Sequence, residues 1–152
     1  MKQSPLSLDH YHFIEISIVP EVGYISKEDV YPDFSDANFA SKVGIGQPVD
    51  DEESDKFALR LIIEISPKSE GAFPYSIDIG VEGFFTIVDK KSVASVQDMV
   101  LVNGAAMLYG ALREQIVTIT SRFEYGALML PTVNFLDMID SQTESAKKAS
   151  SE

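Results

Sequence analysis

Two neighbouring stretches decide the fold: KFALRLIIEISP at residues 56–67 and YSIDIGVEGFFTI at residues 75–87. Apolar side chains take every second position from Phe57 to Ile65, and a similar alternation begins at Tyr75. A period of two residues is typical of a β-strand with one buried face. The residues from Pro67 to Pro74 begin and end with a proline and contain Gly71, which favours a turn. The sequence therefore predicts an antiparallel hairpin with one buried face.

Two further strands are predicted before this hairpin. Residues 10–19, HYHFIEISIV, alternate so that Ile14, Ile16 and Ile18 share one face. Residues 40–47 predict a shorter strand that contains two glycines.

The segment between these two strands, residues 22–40, fits neither a helical nor a strand period. It nevertheless contains four aromatic side chains, Tyr24, Tyr31, Phe34 and Phe39. A loop of this length in a compact domain is usually functional or disordered, and its aromatic content favours function.

Beyond residue 89 the apolar period becomes helical. The residues that recur at this spacing predict a helix over 105–123, and they are Leu108, Leu112, Ile116, Ile119 and Phe123. An apolar loop follows at 124–133, and a final helix begins near Asn134 and buries Phe135, Met138 and Ile139. Because the strands precede the helices, the sequence predicts an antiparallel α+β fold.

Length and composition limit the class of protein. The chain has 152 residues, a net charge of −12 and no cysteine. We expect a single domain over residues 10–140, with a flexible N-terminus at 1–9 and a flexible tail at 141–152. The negative charge disfavours nucleic acid and anionic lipid as partners. No apolar stretch resembles a signal peptide or a membrane span, so we expect a cytoplasmic protein without membrane insertion.

The sequence gives little support to catalysis. His10 and His12 could share a strand face and bind a metal ion, but no third ligand is indicated. The acidic run at residues 50–55 lacks the spacing and the glycine of a calcium loop. No nucleotide-binding or nucleophile motif is present. We therefore expect neither an enzyme nor a cofactor, and no metal site, while a small-ligand protein remains an alternative.

Three motifs in order resemble the SecB family of protein-export chaperones. IVTITSRFEYGALMLPTVNF at residues 116–135 is similar to the family's helix end and its Leu-x-Pro-x-Asn-Phe segment. LYGALRE at 108–114 is similar to Leu-Phe-Pro-Tyr-Ala-Arg-Glu, and GFFTI at 83–87 to Gly-Ile-Phe-x-Ile. The order of elements agrees from about His10 to Asp140.

The resemblance implies a four-stranded antiparallel sheet with C-terminal helices packed on one face. It also implies a homo-tetramer, a dimer of dimers, with the long helices at the tetramer interface. SecB-like chaperones hold unfolded polypeptides, including preproteins for export, without ATP. Their apolar grooves are lined by the first crossover loop and the segment before the last helix. The residues implied here for client binding are Tyr31, Phe34, Phe39, Leu128, Leu130, Val133 and Phe135.

Export members of the family also dock the SecA motor on an acidic sheet face. Glu15 and Asp78 match acids of that face, whereas Val19 and Ser76 replace an expected acid and an expected leucine. Some SecB-like proteins instead serve one antitoxin. The sequence does not separate a general holdase with SecA as partner from a dedicated antitoxin chaperone or a purely structural oligomer.

Overall fold

Four antiparallel strands form one sheet in the spatial order β1-β4-β3-β2. In this computed structural model the described residues are 1–26, 31–47, 54–93 and 95–137. The strands are β1 (Leu6–Pro20), β2 (Ala37–Gly46), β3 (Lys56–Pro67) and β4 (Tyr75–Ile87). The predicted α+β class and four-stranded antiparallel sheet are confirmed, and β1 and β2 are the two edge strands.

The hairpin of β3 and β4 has the register that the alternation predicts. Leu61 lies opposite Val81, and Ile65 lies opposite Ile77. All four side chains are buried on the sheet face that the helices cover, which we call the inner face. The opposite side, the outer face, carries the polar residues of the alternation.

Strand β1 differs from its prediction in two ways. It begins at Leu6, earlier than expected, and one of its two register shifts falls at Ile14. A bulge adds one residue and so exchanges the faces of the residues on its two sides. Ile16 and Ile18 lie on the inner face, whereas the Ile14 side chain covers Gly80 on the outer face. The prediction that the three isoleucines share a face is therefore wrong.

The helical layer is one continuous segment that begins earlier than predicted. It comprises α1 (Val96–Met99), a π-helical turn (Val100–Gly104) and α2 (Ala105–Thr120). The Ser95 side chain accepts a hydrogen bond from the Asp98 N–H and caps the N-terminus. A Cβ at Gly104 would lie 3.0 Å from the Leu59 side chain, so glycine allows the helix to approach the sheet.

The chain after α2 returns along the helix in an irregular conformation. The Thr120 hydroxyl accepts a hydrogen bond from the Leu128 N–H at 2.8 Å. Near the other end of α2, the Tyr109 hydroxyl donates to the Pro131 carbonyl at 2.6 Å. The Leu128 N–H and the Pro131 carbonyl have no partner in a helix or a strand ladder. The two side chains supply their hydrogen bonds, because a buried backbone group without a partner is costly.

The predicted final helix can be followed only at its start. Asn134 Oδ1 accepts a hydrogen bond from the Leu136 N–H at 3.0 Å, as an N-cap residue does. Met138 and Ile139 lie outside the described residues, as do the tail at 141–152 and the acidic residues 50–53.

We predict that Tyr109→Phe changes stability in a pH-dependent manner. Burial raises the pKa of Tyr109 to about 12, and nearby Arg113 opposes that rise. Because the unfolded phenol ionises near pH 10, the stability from the neutral phenol is complete below that pH and is lost as pH rises towards 12. Tyr109→Phe should lower the free energy of unfolding at neutral pH by about 1 kcal/mol. It should also flatten the decline between pH 10 and 12.

Urea unfolding at several pH values measures both effects. Tyr31→Phe is the control, because the Tyr31 side chain is exposed. An unchanged alkaline decline in Tyr109→Phe would contradict the prediction.

Candidate polypeptide-binding surface

Two irregular segments meet at one end of the sheet. The crossover segment (residues 21–36) links β1 to β2, and the post-helix segment (residues 121–137) follows α2. The ring of Tyr125 contacts Tyr24 edge-on, with 5.1 Å between centroids. The Tyr125 hydroxyl donates to the Glu21 carbonyl at 2.7 Å. The two segments that the family resemblance assigns to client binding are therefore in contact.

Both ends of the crossover segment are fixed to the connection between β3 and β4. At its start, the Glu21 N–H donates to the Pro74 carbonyl at 2.8 Å. At its end, the Asp36 carbonyl accepts from the Lys68 N–H at 2.9 Å. The ends of this loop are thus set by the central hairpin rather than by its own residues.

Large apolar side chains are exposed on both segments. Val22, Ile25 and Tyr31 of the crossover segment are 88%, 82% and 65% exposed, and Met129 of the post-helix segment is 42% exposed. Single exposed apolar residues are ordinary on protein surfaces, whereas a group on adjoining segments indicates an interaction surface. Polypeptide is a suitable ligand, because apolar contact requires no particular sequence.

A cleft of about 240 Å³ is lined mainly by the crossover segment. Tyr24, Ile25 and Tyr31 contribute to its apolar wall, and Asp33 and Asp36 contribute carboxylates. The Asp33 carboxylate accepts a hydrogen bond from the Ser35 N–H at 2.8 Å, which lowers the pKa of Asp33. The cleft therefore combines apolar walls with negative charge.

The structure places four of the seven predicted client-binding residues where a ligand can reach them at least in part. Tyr31 is exposed, and Phe34, Phe39 and Val133 are half-buried. Phe34 contacts the buried Phe73 with 5.2 Å between ring centroids, so one side of its ring belongs to the core.

The other three are core residues. Leu128 is 0% exposed, Leu130 is 1% exposed and Phe135 is 5% exposed. Successive side chains of the post-helix segment alternate, so Leu128 and Leu130 enter the core while Met129 faces outwards. As placed in the protomer, these three side chains expose little or no surface, and their assignment to client binding stays a prediction.

Four exposed apolar residues of the described parts of these segments were missed from the sequence: Val22, Ile25, Met129 and Leu136. Met129 could have been found from the alternation of the Leu-Met-Leu run at 128–130, which places it opposite its neighbours. Val22 and Ile25 lie in a segment without a period, and no sequence signal separates their exposure from the half-burial of Phe34.

The residues predicted for SecA-type docking lie on the outer face, away from the helices. Glu15 and Asp78 are both exposed, at diagonal positions on the neighbouring strands β1 and β4. The departures from the family pattern are adjacent to each other, because Val19 pairs with Ser76. The Ser76 hydroxyl donates to the Glu21 carboxylate, which brings a third acid to this area.

The two histidines share the outer face, as predicted, and lie against an aromatic ring. His10 and His12 stack on Phe84, with centroid distances of 6.2 and 5.8 Å. His12 Nε2 lies 3.9 Å from a Glu82 carboxylate oxygen, and Arg60 donates two hydrogen bonds to the other. Within the described ranges no group of three or more His, Cys, Asp or Glu side chains could hold a metal ion. Metal binding therefore gains no support from this geometry.

Among the residues that the structure describes, no helix is long and apolar enough to cross a bilayer.

The sheet, the helix and the two adjoining segments identify the structural class. The chain is an α+β protein with the architecture of SecB-like chaperones. The family described as "Preprotein translocase subunit SecB" matches residues 30–146. The chain belongs to the SecB family, which confirms the resemblance found in the sequence and supports a chaperone role.

A solved structure shares the fold. The chain is similar to the Mycobacterium tuberculosis Rv1957 SecB-like chaperone, solved in complex with a ChAD peptide from the Rv1956 HigA1 antitoxin. The TM-score is 0.57 and the identity is 11%, over 86% of this chain and 91% of that one. A protein of unknown function from Streptococcus agalactiae matches with a TM-score of 0.47 and 10% identity, over 84% and 97% of the two chains. No curated protein matches the chain by sequence.

We predict that neighbouring residues of the post-helix segment differ in their effect on stability. Leu128→Ala should lower the free energy of unfolding by about 2–5 kcal/mol, because it leaves a cavity in the core. Met129→Ala should change it by less than about 1 kcal/mol, because the Met129 side chain is partly exposed. Urea unfolding of both variants measures the difference, and similar losses in the two would contradict the assigned alternation.

Proposed function

We propose that the protein is an ATP-independent cytoplasmic holdase, which binds unfolded or non-native polypeptides on the crossover and post-helix segments. The observation that carries this proposal is the exposure of Val22, Ile25 and Tyr31 on a segment that also lines a cleft with apolar and acidic walls. We assign no catalytic step to the protein.

The strength and selectivity of binding follow from apolar contact. Burial contributes about 25 cal/mol per Å² of apolar surface, so one shallow site binds an extended chain weakly. Several such sites on an oligomer bind one client jointly, which raises the effective affinity. A natively folded protein buries its own apolar side chains and so offers little to this surface. The net charge of −12 keeps a chain with exposed apolar groups soluble.

The proposed assembly is a dimer of dimers. The exposed side of α2 carries the small residues Ala106 and Gly110, which let a second helix approach closely. Edge strand β1 exposes Ile14, Ile16 and Val19. An edge strand with exposed apolar side chains is suited to pairing with another chain. We assign the β1 edge to the dimer and the α2 face to the contact between dimers.

Two kinds of partner are compatible with the holdase proposal. Glu15 and Asp78 on the outer face would dock a SecA-type motor, and preproteins for export would then be the clients. Alternatively, the chaperone serves one partner such as an antitoxin, which the antitoxin peptide bound to the Rv1957 neighbour favours. A general holdase suppresses aggregation of unrelated proteins, whereas a dedicated one binds one partner tightly and saturably.

We predict that the purified protein prevents aggregation of a chemically unfolded, unrelated protein without nucleotide. The double variant Ile25→Ser, Tyr31→Ser should lose most of this activity, because both side chains are exposed and supply apolar contact. Light scattering at stoichiometric chaperone reports the result. Val88→Ser is the matched control, because Val88 is 57% exposed but follows the opposite end of β4.

Suppression by the wild type and the control, with loss in the double variant, supports the proposal. Equal suppression by all three proteins would remove the crossover segment from the binding surface. Absence of suppression by the wild type would exclude a general holdase and favour a dedicated partner.

We predict that Gly110→Gln separates the tetramer into dimers. Apart from its chain neighbours and the backbone of its own helix, a Cβ at Gly110 would meet no atom within 4 Å, so the protomer accepts the larger side chain. The substitution should even stabilise the isolated helix by about 1 kcal/mol. Light-scattering mass after gel filtration should fall from that of a tetramer to that of a dimer. Ala40→Gln, an exposed small residue on β2, is the control. A Gly110→Gln tetramer would move the contact away from this face of α2.

A further inference from the structure

Tyr125 connects two segments that are far apart in the sequence. Its hydroxyl donates to the Glu21 carbonyl at 2.7 Å, across 104 residues of chain. Its ring contacts Tyr24 at 5.1 Å and Tyr75 at 6.1 Å between centroids. One side chain thus joins the post-helix segment to the first turn of the crossover segment and to the sheet.

The post-helix side of this connection is fixed independently. The Tyr75 hydroxyl donates to the Gly126 carbonyl at 2.6 Å. The Gly126 N–H in turn donates to the Phe123 carbonyl at 3.1 Å, and Gly126 adopts a φ of 79° that favours glycine. The neighbouring Tyr125 is therefore presented from a turn that the sheet and the helix both hold.

The crossover side is a tight turn immediately before exposed residues. The Glu21 carbonyl that accepts from Tyr125 also accepts from the Tyr24 N–H at 3.5 Å. Gly23 lies inside this turn with a φ of 88°. Val22 within the turn and Ile25 just after it are the most exposed apolar side chains of the crossover segment. The conformation of this turn consequently determines where both side chains lie.

We propose that Tyr125 is a positioning residue for client binding, which holds the crossover segment so that Val22 and Ile25 are presented beside the cleft. This inference rests on the proposed holdase function. A surface that is already ordered loses less conformational entropy when a client binds, so binding is stronger. Removal of the hydroxyl leaves the folded core in place but loosens the turn at Glu21.

The test compares Tyr125→Phe with wild type in the full chain. Tyr125→Phe should raise the Kd for a fluorescently labelled, permanently unfolded polypeptide by about three- to tenfold. This is the change expected for loss of one neutral hydrogen bond. Amide hydrogen exchange should become faster at residues 21–26, with little change in β3 and β4. Tyr11→Phe, which removes an exposed hydroxyl from β1, should change neither quantity.

A second variant, Tyr125→Leu, also removes the ring contacts and should give larger effects on both quantities in the same order. A purely structural role would instead lower the unfolding midpoint and accelerate exchange throughout the sheet. Unchanged exchange at residues 21–26 in Tyr125→Phe would overturn the inference, and so would faster exchange with an unchanged Kd. If the wild type binds no unfolded polypeptide, the holdase proposal fails, and the inferred role in client binding fails with it. The exchange data would then still report whether Tyr125 orders residues 21–26.

Discussion

The pairing of β1 with β4 is the constraint on which the rest of the structure depends. Because the first strand pairs with the last, the chain must pass from one edge of the sheet to the other before β2 begins. That passage is the crossover segment, and its ends are fixed to the connection between β3 and β4. The location of the crossover segment, with its exposed apolar residues, is therefore a consequence of strand order. The central hairpin fixes the two ends of this segment.

Tyrosine hydroxyls stabilise the irregular parts of the molecule. Tyr75, Tyr109 and Tyr125 each donate to a backbone carbonyl of the crossover or post-helix segment at 2.6–2.7 Å. Such carbonyls have no partner in a strand ladder or a helix, and burying them unpaired would be costly. The aromatic rings meanwhile contribute apolar area to the core. This combination lets the described parts of two segments that lie outside the sheet and α2 be ordered enough to form a surface.

The sequence predicted the parts of the fold in which pattern and packing agree. The alternation of β3 and β4 gave their pairing, because both strands are buried on one face along their whole length. The bulge at Ile14 could not be predicted, since a single inserted residue leaves the apolar pattern of β1 intact while exchanging its faces. The continuous helix from Val96 was predicted only in part, since residues 92–104 indicated a turn or a short helix. Val100, Val102 and Gly104 have poor helix propensity, and packing of Gly104 against Leu59 outweighs it.

The candidate site was less predictable than the fold, because burial depends on tertiary contacts. The sequence marked the post-helix segment as apolar, and its alternation separates Leu128 from Met129, but the structure shows which of the two is buried: the Leu128 N–H donates to Thr120 and its side chain lies in the core. The loop aromatics divide in the same way: Phe34 rests on Phe73, whereas Tyr31 remains exposed. The family resemblance indicated the two segments that are proposed to bind polypeptide, and the structure distinguished the exposed residues within them.

Glu21 is the residue at which the two candidate interaction surfaces meet. Its backbone carbonyl accepts from Tyr125 and so belongs to the candidate polypeptide-binding surface. Its carboxylate accepts from Ser76 on the outer face, where the family pattern has a leucine and Val19 replaces an acid. The acidic character of that face therefore does not depend on Glu15 and Asp78 alone. Because one residue contributes to both surfaces, the departures at Val19 and Ser76 change how the outer face is built without removing its negative charge.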